Sequence, residues 1–149
     1  MGMQVPDSLR SAHDAIHAAL MRAAGEPGPL GENARTVARI LSGHMLREEK
    51  FALRPLGLLK ALARGETPGE LGEVIKLVQA LRFEMPQMLD EHRQVAQALR
   101  LLAGNAEAAG KPEYVALAEE IMVHAHLEED VLYPAAMLVG RCAALLRGD

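Results

Sequence analysis

The sequence predicts an all-α protein: an up-down-up-down four-helix bundle with an extra helical insertion between the second and third helices and a short C-terminal helix. Three observations carry this. Alanine, leucine, glutamate and arginine dominate, while aromatic residues make up only 3% of the chain, so helix propensity is high almost everywhere and strand propensity is low. Glycine and proline gather in a few clusters, "GEPGPLGE" from Gly25, "RPLG" at 54 to 57, "RGETPGELG" from Arg64 and "AGKP" at 109 to 112, which punctuate the chain as turns. Between those clusters, apolar residues recur at spacings of three and four. A length of 149 residues with 50% hydrophobic content suits one domain, 1 to 149, large enough to close a core without staples.

The first helix opens at Asp7 or Ser8, either of which can cap it, and Leu9, Ala12, His13, Ile16 and Leu20 form its inward stripe. The second runs from about Leu30 to Leu53, with Val37, Ile40, Leu41, His44 and Glu48 on one face. It is expected to end before Pro55, because proline disfavours α geometry in the residue that precedes it. The middle of the chain is expected to break at Pro86, which makes Pro55 to Glu84 an insertion packed across one end or flank and leaves a third bundle helix from about Pro86 to Ala108. The fourth begins at Pro112, carries Leu117, Ile121, His124 and Glu128, and is expected to stop near Pro134. A short tail helix through "AAMLVGRCAALL" comes next. Bundle helices of roughly 20 residues would each be about 30 Å long.

The charge balance narrows the function. A net charge of -4, with Lys and Arg scattered among acids, is unsuited to neutralising phosphates, so nucleic acid is not expected as a partner. No basic segment followed by an apolar run opens the chain, and nowhere do 18 apolar residues follow one another, which reads as a cytoplasmic protein without a membrane contact. The single cysteine, Cys142, excludes an intramolecular disulfide and a thiolate zinc site.

Six histidines stand at positions 13, 17, 44, 92, 124 and 126, and two of them head the pattern His-x-x-x-Glu-Glu: "HMLREE" from His44 and "HAHLEE" from His124. Residues four apart lie one above the other on a helix, so His44 with Glu48, and His124 with Glu128, each offer an imidazole and a carboxylate to one side. The remaining histidines add a second regularity. His13 precedes His44 by 31 positions and His92 precedes His124 by 32, and in both cases the intervening turn falls near the midpoint. In antiparallel helices that places each pair at one height, since every residue advances the axis by about 1.5 Å. The two halves read as one motif written twice. Four histidines and two glutamates suit iron, manganese or zinc, and glutamates from diagonal helices can bridge two ions.

These pieces resemble the hemerythrin-like HHE cation-binding family. "AHDAIH" matches its first histidine, "HMLREE" the second block, "EHRQV" the third and "HAHLEEDVLYP" the fourth, together spanning residues 7 to 135. The resemblance implies a four-helix bundle around two iron ions joined by an oxo or hydroxo bridge, with His13 and His44 on one ion, His92 and His124 on the other, and Glu48 and Glu128 between them. It also implies a small ligand: dioxygen, peroxide or nitric oxide. One departure stands out. Oxygen-carrying members have two histidines one turn apart on the third helix, whereas His92 is flanked at that spacing by Met88 and Ala96. One ion is then a ligand short, which counts against simple oxygen carriage and leaves water, Glu91 or His17 to complete its shell. His126, Glu49, Glu129 and Asp130 read as a solvated outer face, and Tyr133 as a packing residue at the helix end.

The expectation is therefore a di-iron protein that binds or senses a small oxidant, with a peroxide- or nitric-oxide-reducing enzyme or an iron-storage or iron-sensing protein as alternatives and a metal-free helical interaction domain behind them. Any signal would leave through a homo-oligomer or a separate protein partner that the sequence does not identify.

Overall fold

A computed structural model describes residues 3–148; residues 1, 2 and 149, expected in the same domain, lie outside the described residues. The described chain is helical throughout, with short turns. Helix α1 (Asp7–Ala24) and helix α2 (Gly28–Glu48) form the first hairpin. A π-helical turn, Glu49–Leu53, and a 3-10 turn, Arg54–Leu58, carry α2 into the short α3 (Leu59–Ala63). Helix α4 (Leu71–Ala108) turns into α5 (Pro112–Leu127), and a second π-helical turn, Glu128–Leu132, joins α5 to α6 (Tyr133–Arg147).

The bundle ring is α1, α2, the C-terminal half of α4, and α5, each packed on the next, with α1 and α5 closing it. Its core is a cluster that includes Ile16, Leu20, Val37, Leu99, Leu102 and Ile121. Helix α4 runs beyond the bundle, and its N-terminal half packs against α6 and the 3-10 turn. A second apolar cluster, with Leu53, Leu56, Leu81, Met88, Tyr133 and Ala136, begins there. A third, including Leu58, Val74, Val78 and Val139, continues it. No helix among the described residues is long and apolar enough to cross a membrane.

The expected break at Pro86 is not there, and two other expected ends are changes of helix type rather than stops. Pro86 lies inside α4, a single helix of 38 residues. Its side chain is exposed, so the backbone hydrogen bond that proline removes is lost on the wet side, where water can take the freed carbonyl. The buried stripe Val74, Val78, Leu81, Met88, His92 meanwhile runs uninterrupted past it. The expected insertion from Pro55 to Glu84 accordingly shrinks to residues 54 to 70, and residues 71 to 84 belong to the third bundle helix. At Pro55 and Pro134 the helix changes type near the expected end, though without a sharp stop: Leu53 and Arg54, like Leu132 and Tyr133, keep right-handed helical backbone angles. In both places a π turn comes just before the proline. Its wider ring of backbone bonds moves carbonyls that the proline ring would otherwise strike.

Candidate metal centre

The first and second apolar clusters meet at a layer of polar side chains. Each bundle helix contributes: His13 from α1, His44 and Glu48 from α2, His92 from α4, His124 from α5, and Glu128 from the first position of the second π turn. Among the described residues, His13, His44, Glu48, His92 and Glu128 are the buried polar residues; Glu48 is 1% exposed and Glu128 2%. Burying ionisable groups in an apolar interior is costly unless they are paired. Here they are paired with one another.

All four imidazoles turn Nε2 toward the centre. His44 Nε2 lies 2.8 Å from His92 Nε2 and 3.1 Å from Glu48 Oε1. Glu128 spans the layer: its Oε1 is 3.3 Å from His92 Nε2, while its Oε2 is 3.1 Å from His124 Nε2 and 3.4 Å from His13 Nε2. Ligand atoms of His44, Glu48, His92 and Glu128 all fall within 4.8 Å of one another, and so do those of His13, His124 and Glu128. The structure thus brings together all six residues expected from the sequence, but it groups the histidines differently. The resemblance implies His13 with His44 and His92 with His124; the chain instead sets His44 beside His92 and His13 beside His124. Counting residues to a turn fixes height along the bundle axis, not the direction a side chain takes around it. Helix α2 borders α4 as well as α1, and His44 faces the former.

The outer nitrogens are held as well. His13 Nδ1 is 3.3 Å from Glu49 Oε1, His44 Nδ1 is 2.9 Å from Glu91 Oε1, and His92 Nδ1 is 2.8 Å from Glu129 Oε1. Arg47 in turn donates to Glu91. Carboxylates in this position fix ring orientation and tautomer, and they make the inner nitrogen a better ligand. Glu49 and Glu129, expected on a solvated face, are therefore turned to the histidines, and Glu91 reaches His44 rather than His92. His126 is exposed, as expected. His17 stays outside the cluster and lines, with His13, Asp14, Ser42, Met45 and Glu49, a surface depression between α1 and α2.

Tyr133 is a further residue that sequence reasoning missed, besides Glu49 and Glu129. Its ring is stacked on His92 at 5.9 Å, and its hydroxyl donates to Glu48 Oε2 at 2.7 Å. The same oxygen is 3.3 Å from His92 Nε2 and 3.5 Å from His44 Nε2. The signal lay five positions after Glu128, where the first half of the motif has Leu53.

Proton affinities reflect this crowding. Burial works against a charged His44, but the hydrogen bond and charge of Glu48, with Glu91 and Glu128, outweigh it and lift the imidazole to about 9. His13 and His92 are raised by the same contest, burial losing to their carboxylate neighbours. Burial and the adjacent Glu128 push Glu48 up. Burial also pushes Glu128 upward, but hydrogen bonds from Glu48, His124, His13 and His92 overcome it and hold Glu128 well below the ordinary range. The pair divides its protons unequally because two buried carboxylates this close resist double ionisation. Burial, with the charges of Glu48 and Glu128, keeps the Tyr133 phenol protonated.

Within the layer, Glu48 Oε1 and His124 Nε2 are buried with no well-directed hydrogen bond; their near partners are the ion-pair contacts to His44 Nε2 and Glu128 Oε2, each at 3.1 Å. Buried polar atoms without a directed hydrogen bond are costly, and an imidazole nitrogen and a carboxylate oxygen are what a metal ion of the iron, manganese or zinc type takes as ligands. The buried His and Glu groups could therefore hold a metal ion. Comparison with protein-family models, with curated proteins and with solved structures finds no match for this chain.

Proposed function

We propose that this layer is a dinuclear iron centre that binds or senses a small oxidant, dioxygen, peroxide or nitric oxide, in a protein of the hemerythrin-like kind. The observation that supports it most is the convergence of four imidazole nitrogens on two buried carboxylates, with Glu48 Oε1 and His124 Nε2 left without a directed hydrogen bond. His44, His92 and Glu48 would hold one ion and His13 and His124 the other, with Glu128 presenting one oxygen to each group. Manganese or zinc would satisfy the same donors. Loaded with iron, the centre supplies the electrons that such ligands exchange.

The chain's own residues prepare the rest. His13, His44 and His92, whose carboxylate neighbours favour a proton, would ligate only with Nε2 free of it, so metal holding there would be coupled to proton release. Glu91 and Glu129 take up the outer N–H of His44 and His92 and keep the inner nitrogens aimed. Tyr133 holds a proton at its hydroxyl oxygen, 2.7 Å from Glu48 Oε2, where it can steady the carboxylate or be passed to a bound ligand. The apolar clusters on both sides keep bulk water out.

A second reading, an enzyme that reduces peroxide or nitric oxide, draws support from the His13 and His124 side, where fewer donors stand and a surface depression reaches His13. Loading metal-free protein with ferrous iron and then admitting air tests the first reading. It should bring up near-ultraviolet absorption of a bridged ferric pair; a spectrum that stays that of free iron would overturn it. Steady-state consumption of peroxide or nitric oxide by the loaded protein would move the assignment to the second.

A further inference from the structure

We infer that the two ion positions are unequal by construction: the one framed by His44 and His92 binds first and tightly, and the one framed by His13 and His124 is the exchangeable position. This inference rests on the dinuclear reading above and specifies how the chain divides it.

The internal repeat exposes the difference. Superposing the halves of the motif carries His13 onto His92, His44 onto His124, Glu48 onto Glu128 and Glu49 onto Glu129. The contacts obey the same operation. Glu49 holds His13 Nδ1 as Glu129 holds His92 Nδ1, and His44 lies against His92 as His13 lies against His124. At one place the repeat fails. His44 Nδ1 is held by Glu91, the residue before His92, and Glu91 is anchored by Arg47, three positions after His44. The equivalents on the other side are Ala12, before His13, and Leu127, three positions after His124. A methyl group and an exposed leucine replace a carboxylate and its guanidinium. Among the described residues, no carboxylate stands against His124 Nδ1.

Two further differences point the same way. The tight side is sealed: His44, Glu48, His92 and Glu128 are buried, and Tyr133 closes over them with its hydroxyl, whereas its counterpart Leu53 offers no polar atom. On the other side the His124 side chain is 13% exposed and His13 borders the depression between α1 and α2. Outer carboxylates on ligating histidines change metal affinity by about 10- to 100-fold. Their presence on both histidines of one pair and on one histidine of the other therefore separates the two affinities by that order.

The test uses zinc, which carries no redox chemistry, titrated into the full metal-free chain against a chromophoric chelator. Wild type should bind two equivalents in two steps separated by about 10- to 100-fold. Glu91→Ala should weaken the tight step by that factor. The double variant Ala12→Glu, Leu127→Arg should tighten the weak step and leave the tight one in place, with circular dichroism confirming the fold of each. Two equal steps, or a Glu91→Ala variant that weakens neither, would overturn the inference while leaving a dinuclear centre standing. No zinc bound at all would overturn the dinuclear reading itself.

Discussion

Replacing Tyr133 by phenylalanine removes one hydroxyl from the centre and leaves the ring that packs on His92 and in the apolar cluster. In the metal-free protein that hydroxyl is the donor to Glu48 Oε2, and Glu48 Oε1 has no directed hydrogen bond of its own. The Phe variant should therefore lose about 1 to 3 kcal/mol in urea unfolding without metal, the cost of stranding a buried acceptor; an unchanged midpoint would show that the bond contributes nothing. At this scale the sequence was partly legible. The six inward residues could be found from spacing, because a ligand and its helical neighbour four positions on must share a face. Glu49 and Glu129 could not. A residue one position from an inward glutamate is rotated by about 100°, which reads as solvent on an isolated helix but is the seam with the next helix in a bundle. The doubled Glu-Glu, present in both halves, was the available signal. Tyr133 was obscured by the same simplification, since the π turn after Glu128 changes which residues line up below it.

Among the elements, the contact between α4 and α6 depends on one glycine. A Cβ built on Gly140 would lie 2.6 Å from Val78 Cγ1 and 2.7 Å from Val78 Cβ, so the helices approach as closely as they do because no side chain intervenes. Val78 is β-branched and stiff, with little room to rotate away. Gly140→Ala should destabilise the protein by about 1 to 3 kcal/mol in denaturant unfolding, as overpacked cores do, against a small gain from better helix propensity. A stabilised variant would contradict the packing described. The helices themselves were legible where periodicity was strong, and the first hairpin lies within two residues of expectation at Asp7 and Gly28. Their ends were less so, because Pro55, Pro86 and Pro134 invite local rules that predict sharp stops. Tertiary packing overrides those rules: a stripe buried on both sides of Pro86 holds α4 together, and π turns accommodate the other two.

For the whole molecule, the arrangement is a bundle whose first and second apolar clusters leave a polar layer between them that neither can fill. Helix class, ring order and a single layer of histidines could all be read from composition, punctuation and the repeated 31- and 32-residue intervals. The pairing of those histidines could not, because it depends on how the helices are rotated about their own axes, which only the packed structure fixes. On our reading the donors of that layer are gathered to hold two metal ions. Glu128, with an oxygen toward each group, is the residue on which both positions depend. The most direct measurement is metal content by elemental analysis after loading with iron and exhaustive removal of loosely bound ions, for wild type and for Glu128→Ala confirmed as folded by circular dichroism. Wild type should keep about two ions per chain, with the Glu128→Ala variant losing most of both. Wild type that retains no more metal than the variant would contradict a metal-holding layer.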